Sequence, residues 1–183
     1  MFFSEIIKKA KKEERKALTV LESKEVLSEA GFPINEYRVA KTVDEAVKFA
    51  QEIGYPIVMK LVSPEIVHKT DLGGVVVDLR NDEEIKQNFE RIMKIVQEKA
   101  PQAHIEGVMI EQMVKDGIEV IIGSTIDPVF EKVLMFGLGG IFVEVLKDVS
   151  FRLIPIKRRD AKEMLNEIKA AKVFDGVRGK PPV

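Results

Sequence analysis

Residues 55–62, YPIVMKLV, constrain the fold of this chain more than any other stretch. The run is apolar apart from one lysine and is bounded by Gly54 and the polar Ser63, so it reads as a buried strand. Lys60 stands near its end, and a charge there needs a partner. That partner is either a neighbouring carboxylate or a phosphate, for which a lysine serves as a point charge.

Helices and strands alternate around this strand. Residues 2 to about 17 read as a mixed-charge solvated helix, because the basic KKAKK is followed at once by Glu13 and Glu14. A second helix over 23–30 presents Val26, Leu27 and Ala30 and is stopped by Gly31 and Pro33. Residues 36–40 form a short strand. Thr42 with Glu45 makes a capping box for a helix that runs to Ile53. Residues 75–79 are a strand, Asn81 with Glu84 opens a long helix ending before Pro101, and 107–114 are again a strand. This order predicts a mixed α/β (α+β) lobe. After Gly117 the character changes: 119–126, 132–136 and 141–156 look like strands, and Asp160 and Glu163 cap a last helix over 161–173. The expected organisation is an N-terminal helical extension (1–17), a first lobe (18–115) and a second lobe (116–183). The Pro181-Pro182 ending and the unfinished sheet predict a second lobe that is incomplete at its C-terminus.

Composition narrows the chemistry. The 183 residues are 45% hydrophobic and 32% charged, which excludes wholesale disorder. With 29 basic and 30 acidic residues the net charge is −1, so the chain has no overall grip on nucleic acid or a membrane surface. There is no cysteine, which removes disulfides, Cys-zinc sites and thiol nucleophiles, and the two histidines, His68 and His104, make a multi-histidine metal centre unexpected. No apolar run approaches the roughly 20 residues of a membrane span, and the N-terminus lacks the order of a signal peptide. The expected location is cytoplasmic, and abundant Lys, Glu and Arg with scarce Asn and Gln lean toward a heat-adapted, thermophilic source.

Several motifs fail. Gly137-Leu138-Gly139-Gly140 continues into Phe142 where a dinucleotide fingerprint needs glycine, and no helix follows. Gly179-Lys180 lacks the earlier glycine of a phosphate-binding loop. Four features remain. Beyond Lys60, the polar segment 63–74 carries His68, Lys69, Asp71 and the pair Gly73-Gly74, whose backbone N–H groups could approach a phosphate. His68 reads either as a surface residue or as a nucleophile held by a carboxylate. Glu111-Gln112-Met113-Val114 ends a strand at the lobe boundary and Glu119 follows eight residues on; these could read an adenine edge and ribose hydroxyls, or merely face solvent. Glu144, Asp148 and Arg152 lie four apart on one face of a ribbon, as a metal-phosphate site or as a salt-bridge row.

The order of these parts resembles the ATP-grasp superfamily. Within it, the chain looks most like the β subunit of ADP-forming acetyl-CoA and acyl-CoA synthetases. The matching segments are YPIVMKLVSPEIVHKTDLGGV, IEQMVKDGIEVIIG, FGLGGIFVEVLKDVSFRLIPI and AKVFDGVRGKPPV, and the resemblance covers about residues 18–183. It implies a two-lobed ATP-grasp fold closing on ATP or ADP with Mg²⁺. Lys60 would hold the α and β phosphates, and Lys69, Gly73 and Gly74 would form a flap over them. Glu111, Gln112, Met113 and Val114 would be the adenine hinge, Glu119 would bind ribose, and Arg152 would join the nucleotide-binding set. His68 would take up a phosphoryl group. A partner α subunit would carry the CoA and acyl sites, in an α₂β₂ assembly. The implied reaction is acyl-CoA + ADP + phosphate ⇌ carboxylate + CoA + ATP. The family's usual acidic-x-Asn-Pro strand and later Asp for Mg²⁺ are missing, so Glu144 and Asp148 stand only as stand-in metal candidates. The alternatives are a different ATP-grasp carboxylate ligase, which needs no histidine acceptor, and a non-catalytic nucleotide-binding regulatory module.

Overall fold

A computed structural model gives the fold and describes residues 3–66, 69–115, 117–140, 147–176 and 182. The chain divides into two compact units, Met1–Val114 and Lys115–Val183. No helix among the described residues is long and apolar enough to cross a membrane.

The first unit contains α1 (Phe3–Lys12), α2 (Val20–Glu29), β1 (Tyr37–Ala40), α3 (Val43–Ile53), β2 (Ile57–Val62), β3 (Val75–Leu79), α4 (Asp82–Lys99) and β4 (Gly107–Gln112). Its four strands pair antiparallel in the order β1-β4-β2-β3. The apolar run that dominates the sequence is β2, an interior strand whose residues are buried on both faces except at Lys60. Ile57, Met59 and Leu61 face Ala46 and Ala50 of α3 and Ile85, Phe89, Ile92 and Val96 of α4. Each large side chain so buried stabilises the unit by about 1.5–3 kcal/mol. The alanines on α3 let that helix approach the sheet closely, and the Thr42 and Asn81 caps fall where the sequence places them.

The expected first helix is shorter than its 2–17 span. It ends at Lys12 in a C-terminal motif with Glu14 in the left-handed region (φ 53°), where the Arg15 N–H reaches Ala10 O (2.9 Å) and the Glu14 N–H reaches Lys11 O (3.1 Å). Arg15 then clamps the Glu22 carboxylate with two bonds of 2.8 and 2.7 Å. Helix α2 begins before the expected 23, because Thr19 and Glu22 form a capping box. At its other end Gly31 (φ 86°) supplies the left-handed residue that the Gly31 signal called for.

The second unit is a meander of β5 (Val120–Asp127), β6 (Glu131–Leu138) and β7 (Val149–Leu153), antiparallel throughout. Helix α5 (Arg158–Glu167) and a 3₁₀ turn (Ala171–Asp175) pack on one face, with Phe136, Leu138, Met164 and Ile168 as the buried core. The β5-β6 turn is held by the Asp127 carboxylate, which accepts from the Val129 and Phe130 N–H groups at 2.8 and 2.9 Å. Two expectations are corrected here. Of the expected strand 141–156, only Val149–Leu153 is a strand among the described residues; Lys147 just before it has φ 47°, and 141–146 lie outside the described residues. The expected helix 161–173 starts at Arg158 and breaks at Ile168, whose ψ of 142° is extended.

Candidate functional site

Register places the site's first members. Val58 of β2 lies opposite Glu111 of β4, and Lys60 is two residues further along β2. Glu111 and Lys60 therefore project from the same face of the sheet, the face away from the α3-α4 core. There the Lys60 ammonium donates to Glu111 Oε2 at 2.5 Å. The other carboxylate oxygen, Oε1, takes the ammonium of Lys24 from α2, also at 2.5 Å. Lys24 lies 5.1 Å from the centroid of the Tyr37 ring, which β1 presents opposite Glu111.

Only 5% of the Glu111 side chain is exposed. Burial pushes its carboxyl up, but the hydrogen bonds from Lys24 and Lys60 outweigh burial and hold it below the ordinary carboxylate range. Lys69 completes the cluster. Burial lowers the Lys69 ammonium from its ordinary value, and the neighbouring Lys60 charge lowers it further. Two lysines thus pair with one carboxylate, and a third stands near Lys60.

The glycine segment is what brings Lys69 there. The Gly74 N–H donates to Lys69 O (2.7 Å), the Gly73 N–H to Thr70 O (2.9 Å), and Gly74 O accepts from Leu61 N–H (2.8 Å). The segment is therefore closed back onto β2 beside Lys60. A Cβ on Gly74 would lie 3.1 Å from Leu61 Cβ and 3.2 Å from Lys69 O, so glycine allows this close return. The two glycine N–H groups expected at a phosphate donate within the turn instead. His68 lies outside the described residues.

At the expected hinge, the Gln112 N–H donates to Glu36 O (2.9 Å) and its carbonyl accepts from Asn35 Nδ2 (3.4 Å). The Met113 N–H donates to Pro56 O (3.3 Å). Beyond Met113 this ladder ends among the described residues, at the exposed Val114.

In the second unit, Glu119 and the glycine pair explain one another. The Gly139 N–H donates to Glu119 O at 2.7 Å, and a Cβ on Gly140 would sit 2.8 Å from Glu119 Oε2. The glycines leave room for an exposed carboxylate to lie over the chain at that point.

Asp148 and Arg152 do share one face, as their spacing implies, but that face packs on α5. Asp148 is buried, and its two oxygens accept from the Lys169 and Ala170 N–H groups at 2.7 and 2.8 Å, the groups freed where α5 breaks. Between them Ser150 Oγ donates to Met164 O at 3.0 Å. Arg152 is held bidentate by Glu167 (2.7 and 2.5 Å), with Glu163 at 3.7 Å. Asp148 and Arg152 are each held by α5 and the residues that follow it. In this structure both Asp148 oxygens and the Arg152 guanidinium are engaged within the second unit. Glu144 lies outside the described residues.

Comparison with known proteins fixes the family. The model of the ATP-grasp domain matches residues 9–183. The beta subunit of the ADP-forming acetate-CoA ligase I of Pyrococcus furiosus is 52% identical over 179 residues, covering 98% of this chain and 77% of that subunit. The chain belongs to the ATP-grasp family, among the β subunits of ADP-forming acetate-CoA ligases. Solved ATP-grasp relatives agree. The acetyl-coenzyme A synthetase 1 of Ca. Korarchaeum cryptofilum, in complex with coenzyme A, Ca-AMPCP and HgCl⁺, has a chain 45% identical to this one. It superposes with a TM-score of 0.90, covering 98% of this chain and 78% of that one. A second structure of that synthetase, with coenzyme A and Mg-AMPPCP and a phosphohistidine segment pointing towards the nucleotide binding site, is 40% identical. Its TM-score is 0.81, covering 99% of this chain and 77% of that one.

In this ATP-grasp chain no group of three or more His, Asp or Glu that could hold a metal occurs among the described residues. Both Asp148 oxygens already accept backbone N–H groups. Sequence reasoning missed Lys24. No motif marks it; its role emerges only when β1, β4 and α2 are assembled around Glu111.

Proposed function

We propose that this chain is the nucleotide-binding subunit of an ADP-forming acyl-CoA ligase and passes a phosphoryl group through His68 to ADP. The observation that carries this reading is the cationic cluster on the face of the first sheet away from α3 and α4. Lys60 and Lys69 stand close enough that one disfavours the charge of the other, and the Glu111 carboxylate beside Lys60 is shared with Lys24. A polyphosphate relieves that repulsion, and phosphoryl transfer depends mainly on such charge neutralisation and positioning. Mg²⁺ would come with the nucleotide as its phosphate-bound counter-ion.

The chemistry balances without an oxidant or reductant. The P–N bond of a phosphorylated His68 breaks, its electron pair returns to the imidazole, and the ADP β-phosphate oxygen forms the new P–O bond. The phosphoryl group originates as an acyl phosphate, formed when phosphate displaces CoA from acyl-CoA on the α subunit of an α₂β₂ assembly; a histidine nitrogen of the α subunit takes it, breaking the acyl P–O bond and releasing the carboxylate, and His68 takes it from there. Lys60 and Lys69 hold the nucleotide phosphates, the backbone groups of residues 111–114 bear the adenine and Glu119 the ribose.

The test is transfer of ³²P from [γ-³²P]ATP to the chain in the presence of Mg²⁺ and the α subunit, comparing wild type with His68→Asn. Acid-labile, base-stable label in the wild type that is absent from the variant is expected. Label confined to the α subunit and unchanged by the substitution overturns the role of His68. No label on either subunit overturns the phosphoryl-transfer reading as a whole.

A further inference from the structure

We infer that Lys24 is a positioning residue of the nucleotide site: it balances the charge of Glu111, so that Lys60 is tethered to that carboxylate yet still presents net positive potential to a nucleotide's phosphates. The inference rests on the nucleotide-binding reading above and assigns a residue that reading does not contain.

The argument is one of charge and geometry. Glu111 carries one negative charge on two oxygens, and its side chain is almost completely buried. If Lys60 were its sole partner, the two would form a neutral pair of 2.5 Å. An incoming phosphate would then have to draw Lys60 away and leave a buried carboxylate unpaired, at a cost as large as breaking any buried ion pair. Lys24 changes this. Its ammonium occupies Oε1 while Lys60 occupies Oε2, so the trio carries a net charge of +1. Glu111 keeps a charged partner when Lys60 leans toward a ligand.

The two lysines are also unequal in access. The Lys60 side chain is 33% exposed and the Lys24 side chain 13%, the latter lying against the Tyr37 ring. Lys60 is the cation within reach of a ligand, and Lys24 is the one fixed behind the carboxylate. The depressed Lys69 adds a second accessible cation beside Lys60. The arrangement is selective for ligands with several negative charges. Its benefit grows with phosphate charge, and an uncharged ligand gains nothing from it.

The experiment is calorimetric titration of the intact chain with AMP, ADP and ATP, for wild type, Lys24→Met, Lys24→Arg and the double variant Lys24→Met/Glu111→Gln. Loss of one unit charge close to the phosphates weakens ADP binding about tenfold in Lys24→Met, ATP binding by more, and AMP binding by less than about threefold. Lys24→Arg restores affinity. In the double variant the carboxylate that captures Lys60 is gone as well, so ADP affinity recovers relative to Lys24→Met alone, the coupled behaviour of groups in one network. Equal weakening of all three nucleotides, with further loss in the double variant, means that Lys24 only supports the fold and overturns the inference, as does unchanged ADP binding in Lys24→Met. Failure of wild type to bind ADP or ATP overturns the nucleotide reading itself. If Lys24→Met does not fold, Lys24→Gln with the same three nucleotides gives the same ordering.

Discussion

Replacing Glu111 with Gln tests whether the carboxylate between Lys24 and Lys60 holds the first unit together. The substitution keeps the shape and removes the charge. Two charge-assisted hydrogen bonds of 2.5 Å are lost, each worth about 1.5–3 kcal/mol. The two ammonium groups are left facing one another across a neutral amide. Breaking a fully buried pair costs about 3–5 kcal/mol, but Lys60 is one-third exposed and water recovers part of its charge. The expected loss is about 3 kcal/mol, or a fall in melting temperature of about 6–12 °C for a chain of this size. Urea unfolding of the intact chain at neutral pH reads it as a shift in midpoint at constant slope.

The pH dependence supplies a second arm. The folded Glu111 carboxyl is held below its ordinary value of 4.5. A group depressed in this way contributes stability that is complete above the unfolded value and is lost as pH falls through the folded one. The gap between wild type and Glu111→Gln therefore stays constant from neutral pH to about 5 and closes below that. A neutral-pH loss under about 1 kcal/mol would refute the reasoning, because desolvation would then cancel the ion pairs.

Other outcomes follow from the same geometry. Lys69, whose ammonium is destabilised by burial and by Lys60, reacts with an amine-directed acylating reagent at pH 8 faster than the exposed lysines of α1; saturating ADP suppresses this, as peptide mapping by mass spectrometry will read. Gly107→Ala forces a Cβ to 2.7 Å from Ala40 O at a φ of 147°, and it destabilises the β1-β4 edge by about 2–3 kcal/mol in the same urea assay. Thr19→Ala removes the α2 cap and costs about 1 kcal/mol, seen as faster hydrogen exchange at the first amides of α2.

The sequence was most legible where a single local rule governs. Thr42 with Glu45, and Asn81 with Glu84, mark helix starts because a cap is satisfied by residues three apart. The β2 run declares itself because both faces are buried. Legibility failed where a distant group decides. Nothing near Ile168 in the chain announces the break in the last helix; Asp148, twenty residues earlier, accepts the N–H groups that the break exposes. Likewise the spacing of Asp148 and Arg152 gave their shared face correctly, but not that a helix would cover it. Lys60 was open between carboxylate and phosphate, and only the β2-β4 register shows Glu111 within reach. Lys24 carried no signal, since its importance comes from α2 docking beside β4.

The buried Asp148 bears on how a mutational scan of this chain should be read. An acidic residue beside a glycine-rich stretch invites the conclusion that lost turnover means a lost metal. Here an alanine at 148 strands two backbone donors where α5 gives way to the 3₁₀ turn. Asparagine keeps one acceptor but turns an amide donor toward a second N–H. Both variants are set to fail as folding mutants first, and a dead enzyme at this position says as little about catalysis as a collapsed wall says about the wiring inside it.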